Sequence, residues 1–521
     1  VHKQPGKPEI ALLLAGLLCL QAYAAAPKSV NSGNHVAFDA NAAAATDAQI
    51  SPAQAAVLFR SVKTILRFDS SDTGLPIRHE VKTRLLSRDQ VVATLREKME
   101  EDKDTARIER SAIVLEKFGL LPRHFALRTF LLRLLGEQVA GFYDSKTKTV
   151  NLLNWVDADT QKPVLAHELT HALQDQFEDA RGVDLDKWEN AGPDGRAKTV
   201  TEDREHLRFD ETDTAREAAL EGQAMVAYLD WGLEGRGQTL RTLPQLSLSN
   251  MAAASAEDKD SPIMESAPLV LRESLLFPYQ EGLIFEQTLL KDKGTRGAFA
   301  DVLTRPPDTS WEIMHPDAYK RKEKQPLLQM PDLHPILDAS WAPYDVGVMG
   351  AVDVRMLGEA LNDVGAGADA ALAWDGGEYY AAQAREASDA QKQDTASIAL
   401  VYLSRWKTPK AAQAVAAWYR ASLAKRYPGL TPELSDVAGQ TVAHTSEGAV
   451  LVAVQDRYVF ISHTLPVPLA TTVMQTMLAA QGAGGAASSK IPLHSSQELT
   501  QPLRALGARA GVLRAAMRTV Y

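Results

Sequence analysis

The stretch 161–177 (QKPVLAHELTHALQDQF) constrains this chain more than any other. On a helix, His167 and His171 lie one turn apart, so both imidazoles project from one face. Leu165, Leu169, Ala172 and Leu173 cluster on the opposite face and can dock the helix into a core. Pro163 suits a first turn, where a missing N–H costs nothing. Two imidazoles so held are two ligands of a catalytic zinc, which also needs a third protein ligand and one open position. Glu168, beside the first ligand, is placed to act as general base on a water at the metal. It would later return the proton to a leaving amine.

The third ligand must come from elsewhere. Phe177 stands six residues after His171, where a third histidine could have served. Asp175 lies one turn beyond His171, but three consecutive turns of one helix cannot easily wrap a tetrahedral ion. A second helix expected over 214–231 (TAREAALEGQAMVAYLDW) offers Glu217 and Glu221. Thr214-Ala-Arg-Glu217 fits a capping box, which gives Glu217 a task at the helix start. Glu221 is therefore the favoured ligand, with Glu217 as the alternative. Gly222 follows it, where another helix could approach closely.

Around this centre the pattern reads as α+β, predominantly helical. Ser87-Arg-Asp-Gln90 looks like a capping box opening a helix that runs towards Glu101. Apolar stripes at 113–121 and 125–135 follow. The segment 138–155 reads as a hairpin turning at Asp144-Ser145-Lys146, with 149–154 as its second strand. Residues 178–212 read as a polar insertion in which His206 is solvated, and 233–262 as a polar loop. Helix and turn signals alternate over 275–319. Pro331, Pro335 and Pro343 mark a composition shift, which places a boundary between a domain at 51–335 and a smaller α+β domain at 336–521. The second domain is expected to hold helices near 351–362 and 410–426, and a hairpin of 449–454 with 458–464. It also carries a turn, Trp374-Asp-Gly-Gly-Glu-Tyr379. No internal repeat of fixed period is present.

Lys3 and Lys7 precede an apolar run over 10–20, and Ala22-Tyr23-Ala24 has small residues at the spacing of a signal-peptidase site. The expectation is an export signal at 1–24 and an Ala/Asn/Ser-rich linker at 25–50, placing the mature chain in the periplasm or outside the cell. The single cysteine, Cys19, lies inside that run. Leu18 precedes it where a lipoprotein signal wants a small residue. A mature chain would then have no disulfide, and its stability must come from packing or metal. The formal charge is −10, and residues 1–24 carry +1 (Lys3, Lys7, Glu9), which leaves −11 without them. An acidic chain without a basic patch argues against a nucleic-acid partner. No other stretch reaches the ~18 apolar residues of a membrane span.

With these residues in view, the chain resembles the gluzincin metallopeptidases. In the aminopeptidase-type members a downstream Glu-Gly-x-Ala supplies the third zinc ligand from its glutamate, and Glu221-Gly222-Gln223-Ala224 looks like that sequence. The spacing departs from the family's usual interval, since 49 residues lie between His171 and Glu221. The insertion at 178–212 would account for it. More closely, the chain is similar to a group of bacterial proteins that share GFYD, HELTHALQDQ, EGQA and FPY-type motifs in this order, over about residues 110–320. The Trp374–Tyr379 stretch resembles part of the same group. The resemblance implies a zincin fold at 51–335, with 149–154 as an outer strand beside the active-site helix, able to take up a substrate peptide by strand addition. Tyr279 (in Phe277-Pro278-Tyr279) and His315 (in Met314-His315-Pro316) are candidates for stabilising an oxyanion. Against these roles, Tyr279 could be a core aromatic and His315 could bond a turn. The sequence therefore points to an exported Zn2+-dependent peptidase acting on a peptide or protein substrate. The rival readings are a catalytically silent zincin-like binding or assembly factor of the envelope, and a closed structural zinc, which a chain without cysteine disfavours. His334, His444 and His463 lack metal-ligand spacing.

Overall fold

The computed structural model describes residues 49–482, apart from 102–104, 186–197, 248–261, 324–326, 362 and 434–438. The expected export signal, nearly all of the linker and the glycine-rich stretch after Gly482 lie outside the described residues. The architecture is α+β and mainly helical, with one three-stranded and one seven-stranded sheet.

Helix α1 (Pro52–Thr73) starts on a reciprocal Ser51/Gln54 cap with Pro52 in its first turn. Helix α2 (Arg88–Glu101) opens as its sequence indicates: Ser87 N–H donates to Gln90 Oε1 at 2.8 Å, and Gln90 N–H donates to Ser87 Oγ at 3.3 Å. Helices α3 (Thr105–Phe118) and α4 (Leu127–Gln138) carry the next two apolar stripes. Strands β2 (Phe142–Asp144) and β3 (Thr149–Leu153) form the expected hairpin.

The placement of that hairpin differs from expectation. Strand β1 (Lys82–Leu86) pairs in parallel with the far side of β3, so the order is β1-β3-β2 and 149–153 is the central strand. All five of its residues are buried and both of its sides are paired, so β3 itself offers no edge for a peptide to join. The reason is local. β1 reads KTRLL, too short and too charged to stand out, yet Arg84 Nε donates to Asn151 Oδ1 at 2.8 Å and ties the two strands together.

Helix α5 (Gln161–Asp179) carries His167 and His171, with Pro163 in the first turn. Helix α6 does not begin at Thr214. It runs Val200–Leu233, capped by Thr199, whose side chain accepts from the Glu202 N–H at 3.3 Å. Thr214 is thus mid-helix, and the Thr214/Glu217 pair caps nothing. The polarity of 200–212 is that of an interface and not of a solvated loop. Asp203 meets His334 at 3.2 Å, Asp210 accepts from Val348 N–H, and Glu211 accepts from Ser310 N–H and Oγ at 3.0 and 2.6 Å. His206, expected in solvent, is buried on this helix.

Helix α7 (Leu269–Ala298) contains Pro278 and is broken at Gly294, where φ is 70°. Short helices at Ser310–Met314 and Pro316–Arg321 follow. The larger sheet runs β4 (Trp341–Val348), β5 (Trp374–Ala384), β6 (Ile398–Trp406), β10 (Tyr458–His463), β9 (Gly448–Gln455), β8 (Gln440–Thr445), β7 (Thr431–Glu433), antiparallel throughout. The β9–β10 hairpin closes over Asp456, whose φ is 52°. The Trp374–Tyr379 stretch is not a turn but the start of β5. A bulge after Trp374, with Gly376 at φ 143°, lets the Gly-Gly pair stay in register with β6. Helices α8 (Ala351–Ala360) and α9 (Val364–Ala373) stand between β4 and β5, while α10 (Pro409–Arg426) and α11 (Val467–Gly482) pack on β9 and β10. A single hydrophobic core continues across 335/336, taking in Leu333, Leu337 and Tyr344. Among the described residues, no helix is long and apolar enough to cross a membrane.

Candidate metal centre

The two histidines meet because they sit one turn apart on α5. Their rings lie 4.8 Å apart and nearly perpendicular, with Nε2 atoms 3.1 Å from each other. Glu221 enters from α6: its Oε2 stands 3.0 Å from His167 Nε2 and 3.4 Å from His171 Nε2. Glu217 is not part of the cluster. The favoured residue is the one that converges, for a reason other than the cap.

Next to Glu221, α6 packs closely on α7. A Cβ on Gly222 would come within 2.3 Å of Gly282 O, and one on Gly282 within 2.0 Å of Ala218 O, so α6 and α7 touch backbone to backbone. Gly222 thus serves the close approach that its position beside Glu221 suggests.

The donor set fits a tetrahedral ion. Donors bound at ~2.0–2.1 Å to zinc stand roughly 3.3 Å from one another, and the three separations here are 3.0, 3.1 and 3.4 Å. Among the described residues this is the sole group of three His, Cys, Asp or Glu side chains placed to hold a metal. His167 and Glu168 are fully buried, whereas His171 and Glu221 are 9% and 7% exposed. Any open coordination position therefore lies on the His171/Glu221 side.

Glu168 is anchored by one oxygen and free at the other. Its Oε2 accepts from Tyr143 N–H of β2 at 2.7 Å, while Oε1 is buried with no hydrogen-bond partner among the described residues. Burial raises its pKa, opposed by the neighbouring His167 and His171. A carboxylate above its usual range suits a proton acceptor working near neutrality. Burial also raises Glu221, but His171 and His167 outweigh it and hold the carboxyl at about 2. For His171 burial lowers the pKa, and the charge and hydrogen bond of Glu221, with help from Glu168 and Gln174, lift it to about 9.

Three contributors were not singled out from sequence. Tyr143 supplies the N–H that holds Glu168, and its hydroxyl donates to Asp175 Oδ2 at 2.5 Å. Asp175 also receives Lys148 Nζ at 2.7 Å, so it braces β2 against α5 and is not a ligand. Gln174 and Gln223 form a buried bridge behind His171. Their signal was present, since both lie within the HELTHALQDQ and EGQA stretches, but a neutral amide has no ligand chemistry to draw notice.

Of the two expected oxyanion candidates, Tyr279 lies beside the cluster, its ring stacked on His167 at 6.1 Å between centroids and 25° between planes. His315 joins the two short helices, its ring stacked on Trp311 at 4.4 Å and its Nδ1 donating to Trp311 O at 2.9 Å. Burial lowers its pKa. These are the contacts of a turn-bonding histidine, and none is to the metal-ligand group.

No family profile, curated protein or solved structure matches this chain.

Proposed function

We propose that this protein is a zinc-dependent peptidase of zincin type, with His167, His171 and Glu221 as ligands and Glu168 as general base. The observation that carries the reading is the unpartnered Glu168 Oε1 in a fully buried carboxylate, next to three donors spaced for one ion. A closed structural site has no use for such a base. Zinc bound there would acidify a coordinated water and polarise a scissile carbonyl. Glu168 accepts the proton of the attacking water at Oε1 and hands it to the leaving amine, while Tyr143 N–H fixes the other oxygen. Tyr279, stacked on His167, lies where it can face a substrate. The export-signal pattern at 1–24 supports action outside the cytoplasm.

The test is Glu168→Gln. Wild type is expected to bind one zinc per chain and to cleave an unfolded protein substrate. The variant is expected to keep the zinc and lose roughly 10²–10⁴-fold in turnover. Zinc bound by both proteins with no cleavage by either would favour the silent binding factor instead.

A further inference from the structure

The hydrogen-bond bridge behind His171 can be followed from its far end. Gln223 Nε2 donates to Ala298 O at 2.8 Å and Phe299 O at 3.2 Å, where α7 ends. Main-chain carbonyls only accept, so this end of the side chain must be the amide nitrogen. Glu286, a buried carboxyl pushed well above its usual range by burial, also lies beside Gln223. Gln223 Oε1 is thereby turned towards Gln174, whose Nε2 donates to it at 2.9 Å and to Leu220 O at 3.0 Å. Two acceptors again fix the amide nitrogen. Gln174 Oε1 is left facing His171 Nδ1 at 2.8 Å. An amide oxygen only accepts, so Nδ1 keeps a proton in either charge state, and Nε2 is the nitrogen left to give up its proton and offer a lone pair to the point shared with His167 and Glu221.

We propose that Gln174, locked by Gln223 against the carbonyls of Ala298 and Phe299, is a positioning residue that fixes His171 in its metal-binding tautomer. The inference rests on the zinc reading and deepens it. The bridge is one-sided: His167 Nδ1 has no hydrogen-bond partner among the described residues. It also makes the end of α7, about 130 residues after the HELTH segment, part of the site's support. Outer partners of metal-bound histidines contribute ~10–100-fold to metal affinity in general.

The experiment measures zinc affinity by chelator competition on full-length wild type, Gln174→Leu, Gln174→Glu and Gln223→Met, with thermal melts of each metal-free chain alongside. Gln174→Glu keeps an acceptor on Nδ1 but turns an oxygen onto Leu220 O and Gln223 Oε1, so it is expected to lose less zinc affinity than Gln174→Leu while falling short of wild type. Gln174→Leu is expected to weaken binding by ~10–100-fold. Gln223→Met should fall between wild type and Gln174→Leu, since Leu220 O still holds Gln174. The zinc-bound wild type should also show an exchange-protected Nδ1–H proton on His171, a readout that needs no variant to fold. Equal zinc affinity for Gln174→Leu and wild type, equal loss in Gln174→Glu and Gln174→Leu, or a rapidly exchanging Nδ1–H would each overturn the proposal. A wild type that binds no zinc would instead overturn the metal reading on which it rests.

Discussion

The buried clusters around His463 and around His167 are built on opposite principles. Around His463 both ring nitrogens are matched. Tyr419 Oη lies 2.8 Å from Nε2, Tyr427 Oη lies 3.2 Å from Nδ1, and Arg426 donates to Tyr419 Oη at 2.9 Å. Nearby Lys117 of α3 reaches into the larger sheet, pairing with Glu447 at 2.7 Å and donating to Thr395 O at 2.9 Å. Around His167 the donors instead face one another, and atoms such as Glu168 Oε1 and His167 Nδ1 lack hydrogen-bond partners among the described residues. A satisfied cluster holds parts of a fold together; a convergent, unsatisfied one is shaped for something to enter. Burial of histidine does not separate the two, but the direction in which its nitrogens point does.

The sharpest way to break this contrast is Lys117→Met. Removing the buried lysine leaves Glu447 with Arg123 and Thr395 as its remaining partners, so a loss of about 3 kcal/mol in unfolding free energy, the low end for a broken buried pair, is expected by denaturant titration. Zinc affinity should not change; a parallel loss of zinc would show that the two clusters are one unit. Next comes Gly222→Ala, which forces a methyl group against Gly282 O. The overpacking is expected to cost about 1–3 kcal/mol and, unlike Lys117→Met, to weaken zinc binding by displacing Glu221. A variant that is destabilised yet binds zinc normally would separate helix spacing from ligand placement.

The smallest effect sharpens the comparison by pH. His463 is held well below its ordinary value by burial first, then by the charges of Arg426 and Lys117. Above ~6.5 it is neutral in both folded and unfolded chains. As pH falls below that, the unfolded chain takes up a proton that the folded one refuses, so stability declines by up to about 1.4 kcal/mol per pH unit. Unfolding midpoints at pH 7, 6 and 5 would show this slope, reduced in His463→Gln. An identical slope in the variant would assign the acid sensitivity elsewhere.

Much of the centre is legible in the sequence because its chemistry is local. His167, Glu168 and His171 share one helix turn, and the 3.6-residue period alone puts the rings together. The Ser87/Gln90 cap and the β9–β10 hairpin are readable for the same reason. What eluded the sequence is non-local. β1 is invisible until β3 lies beside it, and that pairing overturns the edge-strand expectation. The polar run 200–212 looks solvated because nothing in it reveals that Val348, Ser310 and His334 will meet its side chains. The sequence favours Glu221 over Glu217 through a cap that the structure does not contain; the long helix starts earlier, and only the spacing of α6 from α5 decides between them. The strands β4 to β8 carry no comparable local signal, and the Gly-Gly pair of β5 reads as a turn because a bulge and a turn use the same residues.

Helix α6 has a mechanical consequence. Asp210 grips the amide of Val348, and eleven residues later the same helix presents Glu221. At 1.5 Å per residue that is roughly 16 Å of continuous shaft. Neither glycine nor proline interrupts it between those positions, and the first glycine is Gly222, just past the ligand. Sharp kinks need such residues. A push or twist on the β4 end of the larger sheet is therefore carried along α6 towards the Glu221 carboxylate, while α5, carrying the two imidazoles, is held to β2 by Glu168 and Asp175 and tied back to α6 through Gln174. The protein is geared: one helix sets the two nitrogens, and a second, driven from the far sheet, sets the oxygen.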